Sequence, residues 1–556
     1  MAIAILLAAA TFCRAEVKEV RILTNGIGSA LVRDAVAAFA ARIERRCPAR
    51  IVAGKAELTI RLRRETGIGP EGFFIREPKS GEIEIAGPDD RGLLYGLGKL
   101  LHTSSFTGQG FAPGSWRGKS VPISPVRGIY LACHFGNFYE VAPLEEIQAY
   151  VEDLAFWGIN SLVLSFPPWQ YDSFEDPRAR ENLQRIRLIM KSARRAGISA
   201  GLMQATNQVF RTAPRELLNA PYPDDWKRRG NLGTNVCPSK PAGHAYLMKF
   251  WSRLLQEFQD PGLDVLAFWP YDEGGCGCPD CWPWGARGHP LFMREVSRMA
   301  RQRWPSCRFI LSTWMYDSPP AGEWEGLTRL LQENPGLTDY LMADAHEDFP
   351  RYPLERGVPG RKPLLNFPEI SMWGMSPWGG FGANPLPGHL QELWNQVATR
   401  VSGGFPYSEG IYEDLNKVIC SQFYWDPRQS ALETVSAYAA AYFSPEVSRA
   451  VARAVAIMEK NHRRSRRERF AGDAAEAQLA LQVLKDSESS LTPQARESWR
   501  WRILFLRAQI DSLLARSHGR MEGEELRRAF AELVRIYHAE YVHTNKVAPP
   551  PMEDHP

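Results

Sequence analysis

From Val126 onward the chain repeats one unit, a short apolar run followed by an amphipathic helical pattern, eight times before Trp425. The apolar runs are RGIYLAC (127–133), INSLVLSF (159–166), ISAGLMQA (198–205), LDVLAFWP (263–270), RFILSTW (308–314), DYLMADA (339–345), KPLLNF (362–367) and GGFPYSE (403–409). Between most of them lie helical patterns such as LEEIQAYVEDLAFWG (144–158) and HAYLMKFWSRLLQEF (244–258), whose apolar residues recur at helical spacing. Strands buried on both faces read as continuous apolar runs, and parallel neighbours need a crossover helix. Eight such units over about 300 residues are what a closed parallel barrel requires. An open doubly wound sheet usually carries fewer strands and a phosphate-binding glycine fingerprint, which this chain lacks. The expected fold class is α/β, a (β/α)8 TIM barrel over 121–428.

The flanks read differently. Residues 16–120 hold four β-like runs, EVRILT, LTIRLRR, FFIRE and EIEIAG, with an amphipathic helix from Ala30 to Arg46. Asp89 and Asp90 stand where a second helix would begin, which suits its dipole. This is a small N-terminal α+β domain. The Gly-, Pro- and Ser-rich stretch 106–125 connects it to the barrel. Residues 429–548 form a C-terminal helical region, in which the run His462 to Arg467 reads as a solvated helix end, and 549–556 read as a disordered tail. The first fifteen residues, MAIAILLAAATFCRA, form a short apolar segment with small residues near Ala15. The segment is too short to span a bilayer and resembles a secretory signal peptide without a basic start. The mature protein is therefore expected to be secreted or periplasmic, with no membrane span.

A formal charge of +4 over 556 residues gives no concentrated basic face, so no nucleic-acid partner is expected. The 17 tryptophans are more telling, because many fall near strand ends, where flat aromatic faces suit sugar rings.

In such a barrel, chemistry gathers at the C-terminal ends of the strands. The fourth run ends in Trp269-Pro270-Tyr271-Asp272-Glu273-Gly274-Gly275. Side chains alternate along an extended segment, so one of the two carboxylates is expected to face a substrate while its neighbour supports it. Cleaving a glycosidic bond needs a proton donor to the leaving oxygen and a second group that handles the positive charge on the sugar. Asp272 and Glu273 are the catalytic candidates; the competing reading is an ordinary Asp- and Gly-rich turn. Further carboxylates follow other strands. Asp344 comes after the sixth with His346, Glu369 after the seventh, and Glu409 after the eighth, with Glu413 and Asp414 close behind. Trp169, Asn207, Trp269, Tyr271, Trp314, Tyr316, Trp373, Trp378 and Tyr407 occupy equivalent heights and are candidates to stack on, or hydrogen-bond to, an oligosaccharide or glycoconjugate.

Directly after the acidic pair, Cys276, Cys278 and Cys281 form a CxCxxC cluster. Three thiolates can hold a structural zinc ion given a fourth ligand, for which His289, Cys237 and Cys133 are candidates. A disulfide bracing the loop is the alternative. With four protein ligands such a metal would have no open position, so no cofactor is expected in catalysis.

Several of these motifs resemble known glycoside hydrolases. RGLLYGLGKLL (91–101) looks like the helix of the small domain that precedes the barrel in families 20 and 67. Ser124-Pro125-Val126-Arg127-Gly128-Ile129-Tyr130-Leu131 is similar to the first strand of family 20 β-N-acetylhexosaminidases. There the matching arginine grips the terminal sugar, which implies that role for Arg127. His134-Phe135 resembles the His-Phe that follows, although the intervening Asp and Arg are absent. Asp272-Glu273 matches that family's adjacent Asp-Glu. By this resemblance Glu273 is the general acid/base, and Asp272 orients the acetamido group whose oxygen acts as nucleophile. The stretch Asp414 to Asn416 through Phe423-Tyr424-Trp425-Asp426-Pro427 looks instead like the inverting α-glucuronidases of family 67. That likeness implies Glu273 as acid and Asp344 or Glu369 as base. The thiol-rich loop is similar to family 163 barrels, which are endo-acting on N-acetylglucosamine linkages. The expectations in order are substrate-assisted hydrolysis of a β-N-acetylhexosaminide, an inverting glycosidase for a uronic acid or neutral sugar, and a carbohydrate-binding protein without catalysis, with His134 among the sugar contacts.

Overall fold

The computed structural model describes residues 15–134, 137–224, 233–317, 322–345, 348–370, 384–461, 473–518, 520 and 522–538. The leader segment, the 462–467 basic run and the C-terminal tail lie essentially outside them, as do His346, Trp373 and Trp378. The chain divides into two compact units, one built on residues 1–121 with 436–451 and 486–501, the other on 122–435 with 452–485 and 502–556. The helical region beyond the barrel is thus shared between the two units.

The first unit contains a six-stranded mixed sheet. Glu19–Leu23, Leu58–Arg64 and Glu82–Gly87 run parallel, with Phe73–Lys79 antiparallel to the last of these. Its helices form where the sequence signals them. Ser29 caps Ala30–Arg46 by accepting from the amide of Val32, and Val32, Ala35, Phe39 and Ile43 form the buried stripe. Asp89 caps Asp90–Thr103, accepting from the Gly92 amide at 2.8 Å. Each cap satisfies an amide that the first helical turn leaves without an intrahelical partner.

The second unit is the barrel. Its eight parallel strands are Val126–Leu131, Ser161–Leu164, Ser199–Ala205, Val265–Trp269, Arg308–Ser312, Tyr340–Ala345, Leu364–Pro368 and Gly403–Gly404. The first pairs with both the second and the eighth, closing the cylinder. All eight fall on the apolar runs picked out from the sequence, the first beginning one residue earlier and the seventh ending one residue later. At the seam, Gly403 adopts φ +117° and a Cβ there would come 1.6 Å from the Val126 carbonyl oxygen. Only glycine lets the two strands approach that closely. Tyr407–Ser408 then rejoins the first strand one step further on, placing Tyr407 beside Tyr130 at the C-terminal mouth. Crossover helices follow the strands, from Leu144–Phe156 after the first to Asp414–Trp425 after the eighth; the one after the sixth is only Arg351–Glu355. No helix among the described residues is long and apolar enough to cross a membrane.

Candidate active site

The fourth strand stops at Trp269, and the chain turns sharply. Asp272 adopts φ +71°, a left-handed conformation uncommon outside glycine but tolerated by Asp. The Glu273 amide donates to the Tyr271 carbonyl at 2.9 Å. The strand alternation expected of this segment therefore fails at the point where it matters. The turn brings Asp272 and Glu273 to line the same pocket at the barrel mouth.

The two glycines that follow hold the turn. Gly275 has φ +133°, and a Cβ on it would fall 1.8 Å from the Tyr222 hydroxyl. That hydroxyl donates to the Gly274 carbonyl at 2.7 Å. Asn207 grips Gly275 from both sides, accepting from its amide at 3.0 Å and donating to its carbonyl at 2.8 Å. Asn207 thus acts on the loop backbone and does not line the pocket. Tyr271 likewise turns inward, donating to Glu323, while Tyr316 donates to the Gly285 carbonyl. These two tyrosines, expected as sugar contacts, are buried loop supports.

The walls are aromatic. Trp269 stacks near Trp314 (4.9 Å between ring centroids) and Phe367 (5.0 Å), while Tyr130 meets Tyr407 edge-on at 5.3 Å. His134 enters from the first strand, its Nδ1 2.8 Å from the Ser165 hydroxyl and its Nε2 3.6 Å from Glu273 Oε1. Glu369 lines the same pocket from the end of the seventh strand. Glu409 sits behind the wall, accepting from the Tyr407 hydroxyl.

In this apolar setting, burial opposes ionisation. It pushes the Glu273 carboxyl up to about 8, with the neighbouring Asp272 charge adding to the effect. Burial alone pushes Asp272 up to about 6. Near pH 7 the pair therefore holds one proton on Glu273 and leaves Asp272 mostly ionised. One proton donor beside one carboxylate is the division of labour that acid-catalysed cleavage requires.

Other candidates are placed elsewhere. Arg127 is the second residue of its strand, toward the opposite end of the barrel. It is fully buried and donates to the Gly158 and Ser124 carbonyls at 2.7 and 2.9 Å. It braces the barrel floor, correcting the sugar-gripping role the resemblance implied. Asp344 is half-buried outside the pocket lining, pushed up to about 7 by burial and then by the nearby Asp317 charge. Trp169 packs over Gly233, also outside the lining. Glu413 accepts from the Ser408 hydroxyl and from the amides of Glu409 and Gly410, so it shapes a loop.

Tyr130, Met203, Gln204, Ala205 and Phe367 also line the pocket, beyond the residues expected from the sequence. All are near strand C-termini, and a signal for them exists in the sequence: residues at or near the ends of six of the eight apolar runs line the pocket, beside the polar residues that follow.

Of the possible fourth ligands for the cysteine cluster, Cys237 is the one in place, with the sulfurs of Cys237, Cys276, Cys278 and Cys281 all within 4.8 Å of one another. His289 instead holds Thr206 at 3.0 Å and is kept down at about 3 by burial, while the Cys133 thiol faces the Leu131 carbonyl.

No protein-family model matches the chain, and no curated protein does. Solved structures do resemble it. A family GH115 4-O-methyl-α-glucuronidase with specificity for decorated arabinogalactans superposes with TM-score 0.62 at 10% identity, covering 97% of this chain and 78% of that one. A GH138 enzyme targeting pectin rhamnogalacturonan II gives 0.56 at 11%, covering 93% and 92%. The GH20 β-N-acetylhexosaminidase from Streptomyces coelicolor A3(2) gives 0.51 at 12%, covering 76% and 91%. At these identities what is shared is the fold.

Proposed function

We propose that this chain is a glycoside hydrolase in which Glu273 is the proton donor. The observation that carries the reading is the adjacent pair Asp272 and Glu273 in one aromatic pocket, with affinities pushed apart to about 6 and about 8. An acid poised near neutrality beside an ionised carboxylate serves bond cleavage. The aromatic walls suit the apolar face of a sugar ring. That the similar solved structures are enzymes of glycoside hydrolase families supports this reading.

The substrate class we favour is a β-linked N-acetylhexosaminide cleaved with assistance from its own acetamido group. Glu273 protonates the leaving oxygen as the acetamido oxygen attacks the anomeric carbon from the opposite face. The Asp272 carboxylate accepts the amide N–H and stabilises the charge that builds there. Glu273, now ionised, then takes a proton from water as the water oxygen bonds to the anomeric carbon and the bond from that carbon to the acetamido oxygen breaks, restoring the acetamido group. Two adjacent carboxyls fit this route because no separate protein nucleophile is needed.

Glu369 supports a second reading. It lines the same pocket from the end of the seventh strand, which supports a role for it in activating water in an inverting enzyme with Glu273 as acid. Asp344, outside the lining, is the weaker base. No Lys or Arg lines the pocket among the described residues, which disfavours a uronate carboxylate as the group recognised.

The test is hydrolysis of aryl β-N-acetylglucosaminide, β-N-acetylgalactosaminide and α-glucuronide by the wild type and by Glu273→Gln. Release from an N-acetylhexosaminide, lost in the variant, is the expected result. Turnover of the glucuronide alone would favour the inverting reading. Undiminished turnover in Glu273→Gln would remove Glu273 from the chemistry.

A further inference from the structure

We infer that Cys237, Cys276, Cys278 and Cys281 form a tetrathiolate site for a structural zinc ion that anchors the loop carrying Asp272 and Glu273. The sulfurs come from two separate parts of the chain. Three lie on the loop after the fourth strand, beginning three residues beyond Glu273, and the fourth follows the short pair Gln208–Val209 and Thr234–Asn235. All lie within 4.8 Å of one another, and Cys237 Sγ is 3.7 Å from Cys278 Sγ. Tetrahedral zinc with Zn–S bonds of about 2.3 Å requires sulfurs about 3.8 Å apart. Four thiols converging on one point have the arrangement of a metal site, whereas disulfides would draw them together in pairs.

The surroundings suit thiolates. The Ser239 hydroxyl lies 3.0 Å from Cys237 Sγ and 3.2 Å from Cys278 Sγ, placed to donate to either. Cys237, Cys276 and Cys281 are buried, which shields them from competing reactions. The loop backbone is already folded around the cluster. The Cys281 and Trp282 amides donate to the Cys278 carbonyl at 3.0 and 2.9 Å, and the Gly277 amide donates to Ala220 at 2.9 Å. On binding, the four thiols release their protons to solvent and the site carries a net charge of about −2. With four protein ligands the ion has no open position for substrate. Its work is mechanical: it ties the segment after the third strand to the loop after the fourth and so fixes the turn at Asp272.

The inference is independent of the proposed activity, because its readout needs no substrate. Metal content of the purified full-length chain is measured by elemental mass spectrometry, together with intact mass and thiol count. The expected result is about one zinc per chain, with four thiols that become reactive only after chelation or unfolding. Cys237→Ser and Cys278→Ser should each lose the metal, while Cys420→Ser, far from the cluster in sequence, should retain it. Cobalt exchanged into the wild type should show the visible bands of tetrahedral thiolate coordination, a measurement that holds even where a variant fails to fold. Wild-type protein that holds no zinc after reduction and incubation with Zn2+, or an intact mass showing these cysteines paired as disulfides, would overturn the inference.

Discussion

The imidazole of His134 and the carboxyl of Glu273 face each other across the barrel mouth, with Nε2 3.6 Å from Oε1. They come from the ends of the first and fourth strands, and Ser165, from the end of the second, holds the ring through Nδ1 at 2.8 Å. At that distance, longer than a direct hydrogen bond, a role for the ring in bounding the space open to the acid, without sharing its proton, is testable. His134→Asn shortens the side chain and leaves Glu273 room to shift. Misplacing a reacting group by about 1 Å costs on the order of 100-fold in rate. The expected outcome is a fall of that order in kcat with little change in KM. An unchanged kcat would make His134 only part of the pocket wall.

The pH profile follows from the two carboxyls. Glu273 acts as an acid and is lost above about 8, while Asp272 acts as a carboxylate and is lost below about 6. The dependence of kcat/KM should be a bell between those limits, which report groups of the free enzyme. Asp272→Asn removes the neighbouring negative charge that raises Glu273, so the alkaline limb should move to lower pH. Burial, the larger cause, remains, so the limb should stay above the ordinary carboxylate range. The same variant should impair acetamido substrates far more than substrates lacking that group. Equal losses on both would count against assistance by the substrate.

The same burial has a cost in stability. The folded pKa of Glu273 is raised above its ordinary value of 4.5 to about 8, so between those values the folded state binds more protons than the unfolded one. Stability contributed by this group is therefore fully present below about 4.5 and is lost as pH rises to about 8. Glu273→Gln cannot ionise. Its melting temperature should exceed that of the wild type by an amount that grows across this window and levels off above it. Thermal melts at pH 5, 7 and 9 test this, and a difference independent of pH would show that Glu273 is not held in a desolvated site.

The contrast between what could and could not be read in advance has a physical basis. All eight barrel strands, the helix Ala30–Arg46 and the helix start at Asp89 and Asp90 follow from local patterns, namely apolar runs, helical spacing and acidic residues at a helix start. The acidic pair was legible because barrel chemistry collects past strand ends. Arg127 lies on the floor and not at the mouth because a strand motif gives identity but not depth: the second residue of a strand belongs to the floor. The inward direction of Tyr271 and Tyr316 is not written in the local sequence, because the direction of a loop side chain depends on partners such as Glu323 and Gly285, which lie far away along the chain. The left-handed backbone at Asp272 has no counterpart in the residue pattern, since Asp adopts ordinary conformations far more often. Cys237 was one of three possible partners for the loop thiols, and only the fold could select it.

Gly275 offers the most direct test that the loop backbone, and not only its side chains, builds the site. Its φ of +133° is unfavourable for any residue with a Cβ, and that atom would lie 1.8 Å from the Tyr222 hydroxyl. Gly275→Ala must therefore move either the loop or the tyrosine. Backbone strain of this kind costs about 1–3 kcal/mol, and displacement of Tyr222 would also break its bond to the Gly274 carbonyl. The variant should melt lower than the wild type and lose most of its turnover, because the displaced segment is continuous with Asp272 and Glu273. Tyr222→Phe separates the two effects. It removes the hydroxyl and its hydrogen bond while leaving glycine in place, so it should lose far less activity than Gly275→Ala. In Gly275→Ala/Tyr222→Phe the worst clash is removed, but ring carbons Cζ and Cε1 would still lie 2.7 and 2.9 Å from the new Cβ and the unfavourable φ remains, so activity should recover only in part. Full recovery would assign the whole effect to the tyrosine, and wild-type activity in Gly275→Ala alone would show that the turn at Asp272 does not depend on this conformation.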